Sequence, residues 1–351
     1  MGSWAAVADL PVVIEGCELE LLERATASEW VRQTTLIRLH GGGETGLGED
    51  VVYQGEEHVA QVAAGPPAEL VGRFTLAQLS ELVGGLDLFP GGAPAMGVSR
   101  NYRRWGFESA ALDLALRQAG RSLPEVLGRT PRPVWFVNSL GLGDPSSLEP
   151  VLRRSEHDPL LCFKLDARSD WDEELVRALA KLRRVAVVDL KGRYVGTVVD
   201  QPADPVLYRL VAELLPEAWI EDPGESPETD EILAPHLGRV TWDEPIHTLE
   251  DVDAFPVRPL MINVKPCRSG SVQALFELYD GCAERGIGTY GGGSFELGPG
   301  RGHLQALASL FSPFAPNDVA PGGYNEPELA PDLPRSPLEP RLDRVGFRWL
   351  P

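Results

Sequence analysis

Cysteine is scarce in this sequence, and basic residues are outnumbered. The four cysteines, Cys17, Cys162, Cys267 and Cys282, are scattered without a C-x-x-C pair, which excludes a disulfide framework or a zinc site built on paired thiolates. Lysine and arginine number 32 against 52 aspartates and glutamates, a formal net charge of -20. A nucleic-acid surface needs a basic face, so that class of partner is excluded. Acidity by itself means solubility, and a local cluster of cations can still hold a small anion. No apolar run approaches the roughly 20 residues of a membrane span. The start, MGSWAAVADLPVV, has no basic segment followed by an apolar one, so no signal peptide is expected. These absences lead to the expectation of a cytoplasmic chain that engages neither nucleic acid nor membrane. A G-x-G-x-x-G after the first strand is also missing, which weakens an open doubly wound nucleotide-binding sheet.

What is present is enough for a large core. The chain has 351 residues, 43% of them hydrophobic, room for two domains or for one barrel with a smaller attachment. Residues 11–53 read as strands: CELELLE alternates apolar and acidic residues, and TTLIRLH and GLGEDVVY flank the turn GGGET. Helical patterns follow in EEHVAQVAAG, TLAQLSELVGGL and FESAALDLALRQAGRSLPEVLG, the last closing at Gly128. This strand-then-helix order over residues 1–128 is that of an α+β domain.

Beyond it, short apolar runs alternate with amphipathic stretches. PVWFVNS, LLCFKLD, VAVVDLK, AWIEDP, RVTWDEP, LMINVK and GIGTYGG are the runs, with a further unit near PFAPNDVAP. Such alternation implies βαβ units and a parallel sheet, here a (β/α)7β-type TIM barrel over residues 129–320 with residues 1–128 as its cap. Leu160 to Phe163 read as buried, Cys162 among them. Residues 321–351, rich in Pro, Asp and Glu, are expected to lie on the surface or to pack back on the cap through VGFRWLP.

The polar residues that end these runs carry the chemistry. Successive runs stop at Lys164, Asp189, Glu221, Asp243 and Lys265, and in a barrel the C-terminal strand ends form one mouth. Three carboxylates from rigid strand ends suit a hard cation such as Mg2+, while the absence of histidine there argues against zinc. A lysine beside such a site can serve as a base.

With those strand ends in view, the sequence resembles the enolase superfamily, on the branch of muconate-lactonizing enzyme, o-succinylbenzoate synthase and the dipeptide epimerases. VVDLKG, WIEDP and TWDEP match the three metal-ligand strands, and INVKPCRSGS matches the sixth-strand lysine. The resemblance implies Mg2+ held by Asp189, Glu221 and Asp243, with Lys265 as acid/base. It also implies Glu244 as the carboxylate that orients Lys265, and places Glu296, in GGGSFELGPGRG, at the pocket rim. The reaction implied is abstraction of a proton α to a carboxylate through a metal-stabilised ene-diolate.

Two departures bear on mechanism. The family pattern K-x-K at the second strand is here Lys164-Leu165-Asp166, and D-x-N at the third is Asp189-Leu190-Lys191. With the second lysine replaced by Asp166, a one-base reaction by Lys265 is expected, an elimination or a cycloisomerisation, while Lys164 holds the substrate carboxylate. The alternatives are a racemase or epimerase with Asp166 as opposite base, and a catalytically silent carboxylate-binding member. Lys191 could weaken cation binding or, with Arg268, contact a second anionic group, which points to a diacid or acid-sugar substrate. His303 is expected to cap a helix or lie on the surface, and Arg100, Arg103 and Arg104, beside Tyr102 and Trp105, to serve an interface or the surface. The short cap segment LERATASEWVRQ would leave an open pocket. Assembly into a symmetric homo-oligomer is left open by the sequence.

Overall fold

The computed structural model describes residues 2–25, 30–326 and 328–350; residues 26–29 of the short cap segment lie outside it. Five strands form the cap: β1 (Pro11–Ile14), β2 (Gly16–Ala25), β3 (Val31–Gly41), β4 (Glu44–Asp50) and β5 (Gly72–Thr75). β2, β3 and β4 make an antiparallel meander and β1 pairs with β5. The helix Ser99–Gln118 lies against β4, where Gly46 and Gly48 bring the two backbones together. A side chain at Gly48 would sit 2.0 Å from the Gly106 carbonyl oxygen. The long helical pattern starts earlier than its apolar residues indicated and breaks at Gly120. The helix Leu123–Leu127 then ends on Gly128 with φ 63°.

Seven parallel strands follow, each neighbouring the next: β6 (Val137–Gly141), β7 (Cys162–Asp166), β8 (Val185–Asp189), β9 (Trp219–Glu221), β10 (Val240–Trp242), β11 (Met261–Val264) and β12 (Gly288–Gly291). The unit expected near residues 313–321 is no full strand. It contributes two bridges, Asn317 to Phe136 before β6 and Asp318 to Gly292 after β12, so one short segment touches both edges of the curled sheet. Of the run that opens β7, Leu161 and Phe163 are buried. Leu160 is 63% exposed in the turn before the strand, and Cys162 is only half-buried. Among the described residues no helix is long and apolar enough to cross a membrane.

Cap and sheet share apolar contacts from Val12, Ile37 and Leu114 through to Ile262, Val264 and Phe276. Buried polar groups add direction. Arg103 is not a surface residue: wholly buried, it pairs with Asp50 at 2.8 Å and bonds the carbonyls of Leu88 and Glu57. Arg104 pairs with Glu108 at 2.6 Å, while Arg100 is exposed. Between β3–β4 and the loop after β12, Arg32 donates to the carbonyls of Ser294 and Phe295, and Glu49 accepts from the amides of Leu297, Gly298 and Gly300. The cap thereby holds the loop that follows β12.

The C-terminal segment docks beside these contacts. Gly346 bridges Ser122, Arg348 pairs with Asp113 at 2.6 Å, and Phe347 is buried against His303, ring centroids 4.0 Å apart. His303 therefore neither caps a helix nor lies on the surface. Among the described residues neither ring nitrogen has a hydrogen-bond partner, because the helix Pro299–Phe311 turns this position inward under Phe347. Burial pushes its pKa down to about 4, against the pull of Asp113 and with Arg348 and Arg117 assisting. Between about pH 4 and 6.5 the folded chain therefore holds fewer protons at His303 than the unfolded one, and stability falls as pH drops through that window. Urea unfolding at pH 7 and pH 5 tests this. His303→Phe, which keeps the ring stack, is expected to lose about 2 kcal/mol less than the unaltered protein over that interval.

Candidate active site

Strand register brings the charged residues together. Asp166 at the end of β7 lies opposite Asp189 on β8, and Asp189 lies opposite Glu221 on β9. Asp243 and Lys265 follow β10 and β11 directly. One carboxylate oxygen from each of Asp189, Glu221 and Asp243 lies within 4.8 Å of the others, and all three side chains are buried.

Buried carboxylates need opposite charge beside them, and here cations supply it. Lys164 Nζ contacts Glu221 Oε1 and stands 3.2 Å from Asp189. Lys191 Nζ is 2.5 Å from Asp189 and 3.2 Å from Asp166. Lys265 Nζ is 2.8 Å from one oxygen of Asp243, and Arg268 is 2.6 Å from the other. Burial opposes the charge on Lys164, but Glu221, Asp189 and Asp243 outweigh it and hold its pKa well above the ordinary lysine range. Burial also opposes the charge on Asp243, yet Arg268 and Lys265 hold its pKa well below the usual value. Glu221 goes the other way: burial, with Asp189 and Asp243 nearby, pushes it up to about 8 despite Lys164.

The remaining expected residues take definite places. Arg268, also bonded to the Tyr194 hydroxyl at 3.0 Å, reaches the carboxylate cluster. Glu296 is buried, pairing with Arg301 at 3.0 Å and accepting from the Ser294 amide. Glu244 gives its backbone N–H to Asp222, and the ion pair of Lys265 among the described residues runs to Asp243.

Four participants were not singled out from the sequence. Asp222, next to Glu221 and with φ 47°, accepts the amides of both Asp243 and Glu244 at 2.8 Å and so fixes the end of β10. Tyr194 donates to Asp243 Oδ2, and Tyr290 donates to Glu221 Oε2 at 2.6 Å. Asn263 gives its amide to Glu221, and its own side-chain oxygen is buried with no hydrogen-bond partner among the described residues. Period-two alternation along β11 and β12 was the signal for Asn263 and Tyr290; Asp222 and Tyr194 lie outside strands and had none.

These residues fit a hard divalent cation. The donors are all carboxylate oxygen and they come from three rigid strand ends. Lys164, Lys191, Lys265 and Arg268 also converge at the mouth, the type of group that holds a carboxylate ligand.

Comparison with known proteins places this geometry. The family described as "Domain of unknown function (DUF8230)" matches in two parts, its N-terminal domain over residues 5–126 and its C-terminal domain over 130–326. An N-succinylamino acid racemase of Amycolatopsis sp is 28% identical over 350 residues, covering 90% of each chain. Among solved structures, a member of the enolase superfamily from Listeria innocua superposes with TM-score 0.67 at 19% identity, over 90% of this chain and 88% of that one. A dipeptide epimerase from Methylococcus capsulatus, complexed with Mg ion, gives TM-score 0.67 at 20% identity, over 90% and 92%.

Asp222 supplies a direct test of how the site is held. Asp222→Ala leaves two buried amides without an acceptor and puts alanine in a left-handed conformation. It is expected to lower the free energy of unfolding in urea by about 2–5 kcal/mol. Asp222→Asn, which tolerates that conformation and keeps an acceptor oxygen, should cost less.

Proposed function

Since the chain belongs to the DUF8230 family and to the enolase superfamily, on its muconate-lactonizing-enzyme and o-succinylbenzoate-synthase-like branch, we propose that it is a lyase or isomerase that removes a proton α to a carboxylate. The observation that carries this reading is the trio of strand-end carboxylates with Lys265 on one flank and Lys164 across Glu221 and Asp189. We take the curled sheet as a (β/α) barrel closed through Asn317 and Asp318, with residues 1–128 as cap, 129–320 as catalytic domain and 321–351 returning to the cap. Its setting is taken as cytoplasmic.

Asp189, Glu221 and Asp243 would hold Mg2+. When bound, the ion supplies Lewis-acid stabilisation of negative charge on a substrate oxygen and offsets the carboxylate charge that keeps Lys265 protonated. The rest is done by side chains. Lys164 and Arg268 attract and orient the substrate carboxylate, and Lys164 favours the ene-diolate by placing positive charge where negative charge develops. Lys265 takes the α-proton and returns it, or passes it to a leaving group. A side chain at Gly292 would meet Asn263 at 2.2 Å and Lys265 Cε at 2.9 Å, so glycine there keeps the lysine's path open.

The substrate is a small carboxylate, and Lys191 and Arg268 beside Lys164 and Lys265 offer positive charge for a second anionic group, which favours a diacid or acid sugar. With Asp166 in place of a second lysine, elimination or cycloisomerisation by the single base Lys265 is the leading reaction. Racemisation or epimerisation is the second reading. Lys191, on the Asp189 side of the cluster and away from Lys265, supports it by offering a second proton-carrying group.

Two measurements test the proposal. Calorimetric titration with Mg2+ should give a saturable heat for the unaltered protein and none for Glu221→Gln. With N-acylamino acids and dicarboxylates screened in D2O, α-deuterium incorporation or elimination should be seen. Lys265→Ala should slow it by about 10²–10⁴-fold with Mg2+ binding retained.

A further inference from the structure

The two positions at which this chain departs from its family pattern meet in space. Asp166 and Asp189 are registered partners on β7 and β8, and the side chain of Lys191 stands between them. Two residues beyond Asp189, Lys191 has a left-handed backbone (φ 53°), and its amide donates to Asp189 Oδ1 at 3.1 Å. A non-glycine residue held in that region stores strain that the surroundings must offset. Here it turns the lysine back toward the carboxylate that precedes it. The Lys191 side chain is 15% exposed, while that of Asp166 is 41% exposed, at the outer edge of the cluster.

This arrangement sets a competition. Lys191 Nζ sits 2.5 Å from Asp189 Oδ2, on a carboxylate that the proposed Mg2+ also requires. A divalent cation that takes Asp189 Oδ2 displaces the ammonium, and an ammonium left unpaired in a largely buried site is costly. Asp166 Oδ1 is already 3.2 Å from that nitrogen and accepts no hydrogen bond from another group among the described residues. A small side-chain shift outward exchanges one carboxylate partner for the other.

We propose that Asp166 is a positioning residue: it draws Lys191 off Asp189 and thereby sets the affinity of the carboxylate cluster for its divalent cation. The inference rests on the Mg2+ reading above and deepens it. The changes at 166 and 191 are then one device. Lys191 guards Asp189 in the metal-free protein, and Asp166 receives it when the cation arrives.

A double-mutant cycle read by Mg2+ calorimetry on the full chain tests this. Lys191→Gln removes the competitor and should tighten Mg2+ binding by about tenfold. Asp166→Asn removes the receiving group and should weaken it by about tenfold. In the Lys191→Gln background, Asp166→Asn should then change the dissociation constant by no more than about twofold. Independent, additive effects overturn the inference, as does weaker binding in Lys191→Gln alone, a result that needs no Asp166 variant to fold. Retention of near-normal affinity by Asp166→Glu would support a positioning role. Absence of Mg2+ binding in the unaltered protein sinks the metal reading itself, whereas binding with additive variants sinks only the role of Asp166.

Discussion

Everything at the mouth of the sheet depends on how three carboxylates can be buried side by side. Asp189, Glu221 and Asp243 lie within 4.8 Å of one another on adjacent strand ends, where mutual repulsion and loss of water both oppose ionisation. Lys164, Lys191, Lys265 and Arg268 answer that problem, each bound to at least one of the three. The same ammonium and guanidinium groups that make the cluster tolerable in the fold are those a carboxylate substrate would meet. Stability and the proposed binding thus draw on one set of charges.

The cap contributes through polar contacts as much as through its apolar face. Glu49 gathers three amides at the start of the helix Pro299–Phe311, and Arg32 takes the carbonyls of Ser294 and Phe295. The loop after β12 is therefore held from the cap side. The C-terminal segment adds Phe347 on His303 and Arg348 on Asp113. A chain that closes its own loops in this way keeps the strand ends rigid, the condition under which charges can be placed to fractions of an ångström.

Much of this was legible along the chain because a strand end has a local signature. An apolar run that stops on a charged residue marks the point where the backbone leaves the core, and that rule located Lys164, Asp189, Glu221, Asp243 and Lys265. It misjudged Leu160 and Cys162, since hydrophobicity does not tell the outer face of a sheet from the inner one. It also misplaced Arg103 and His303. A buried arginine is tolerable only because Asp50 and two carbonyls from separate elements surround it. His303 is buried by a phenylalanine that returns from the far end of the chain.

The sequence by itself determined the alternation of strands and helices, the ionisable strand ends and the departures K-x-D and D-x-K, because each depends on residues within one strand's length. Only the tertiary structure decided which charges pair. That Lys191 reaches back to Asp189 and across to Asp166, that Asp222 holds the end of β10, and that Lys265 rests on Asp243 all follow from register between parallel strands and from two left-handed residues. Parallel strands are joined through long crossovers, so neighbours across the sheet are remote in sequence, and no local pattern encodes their distance.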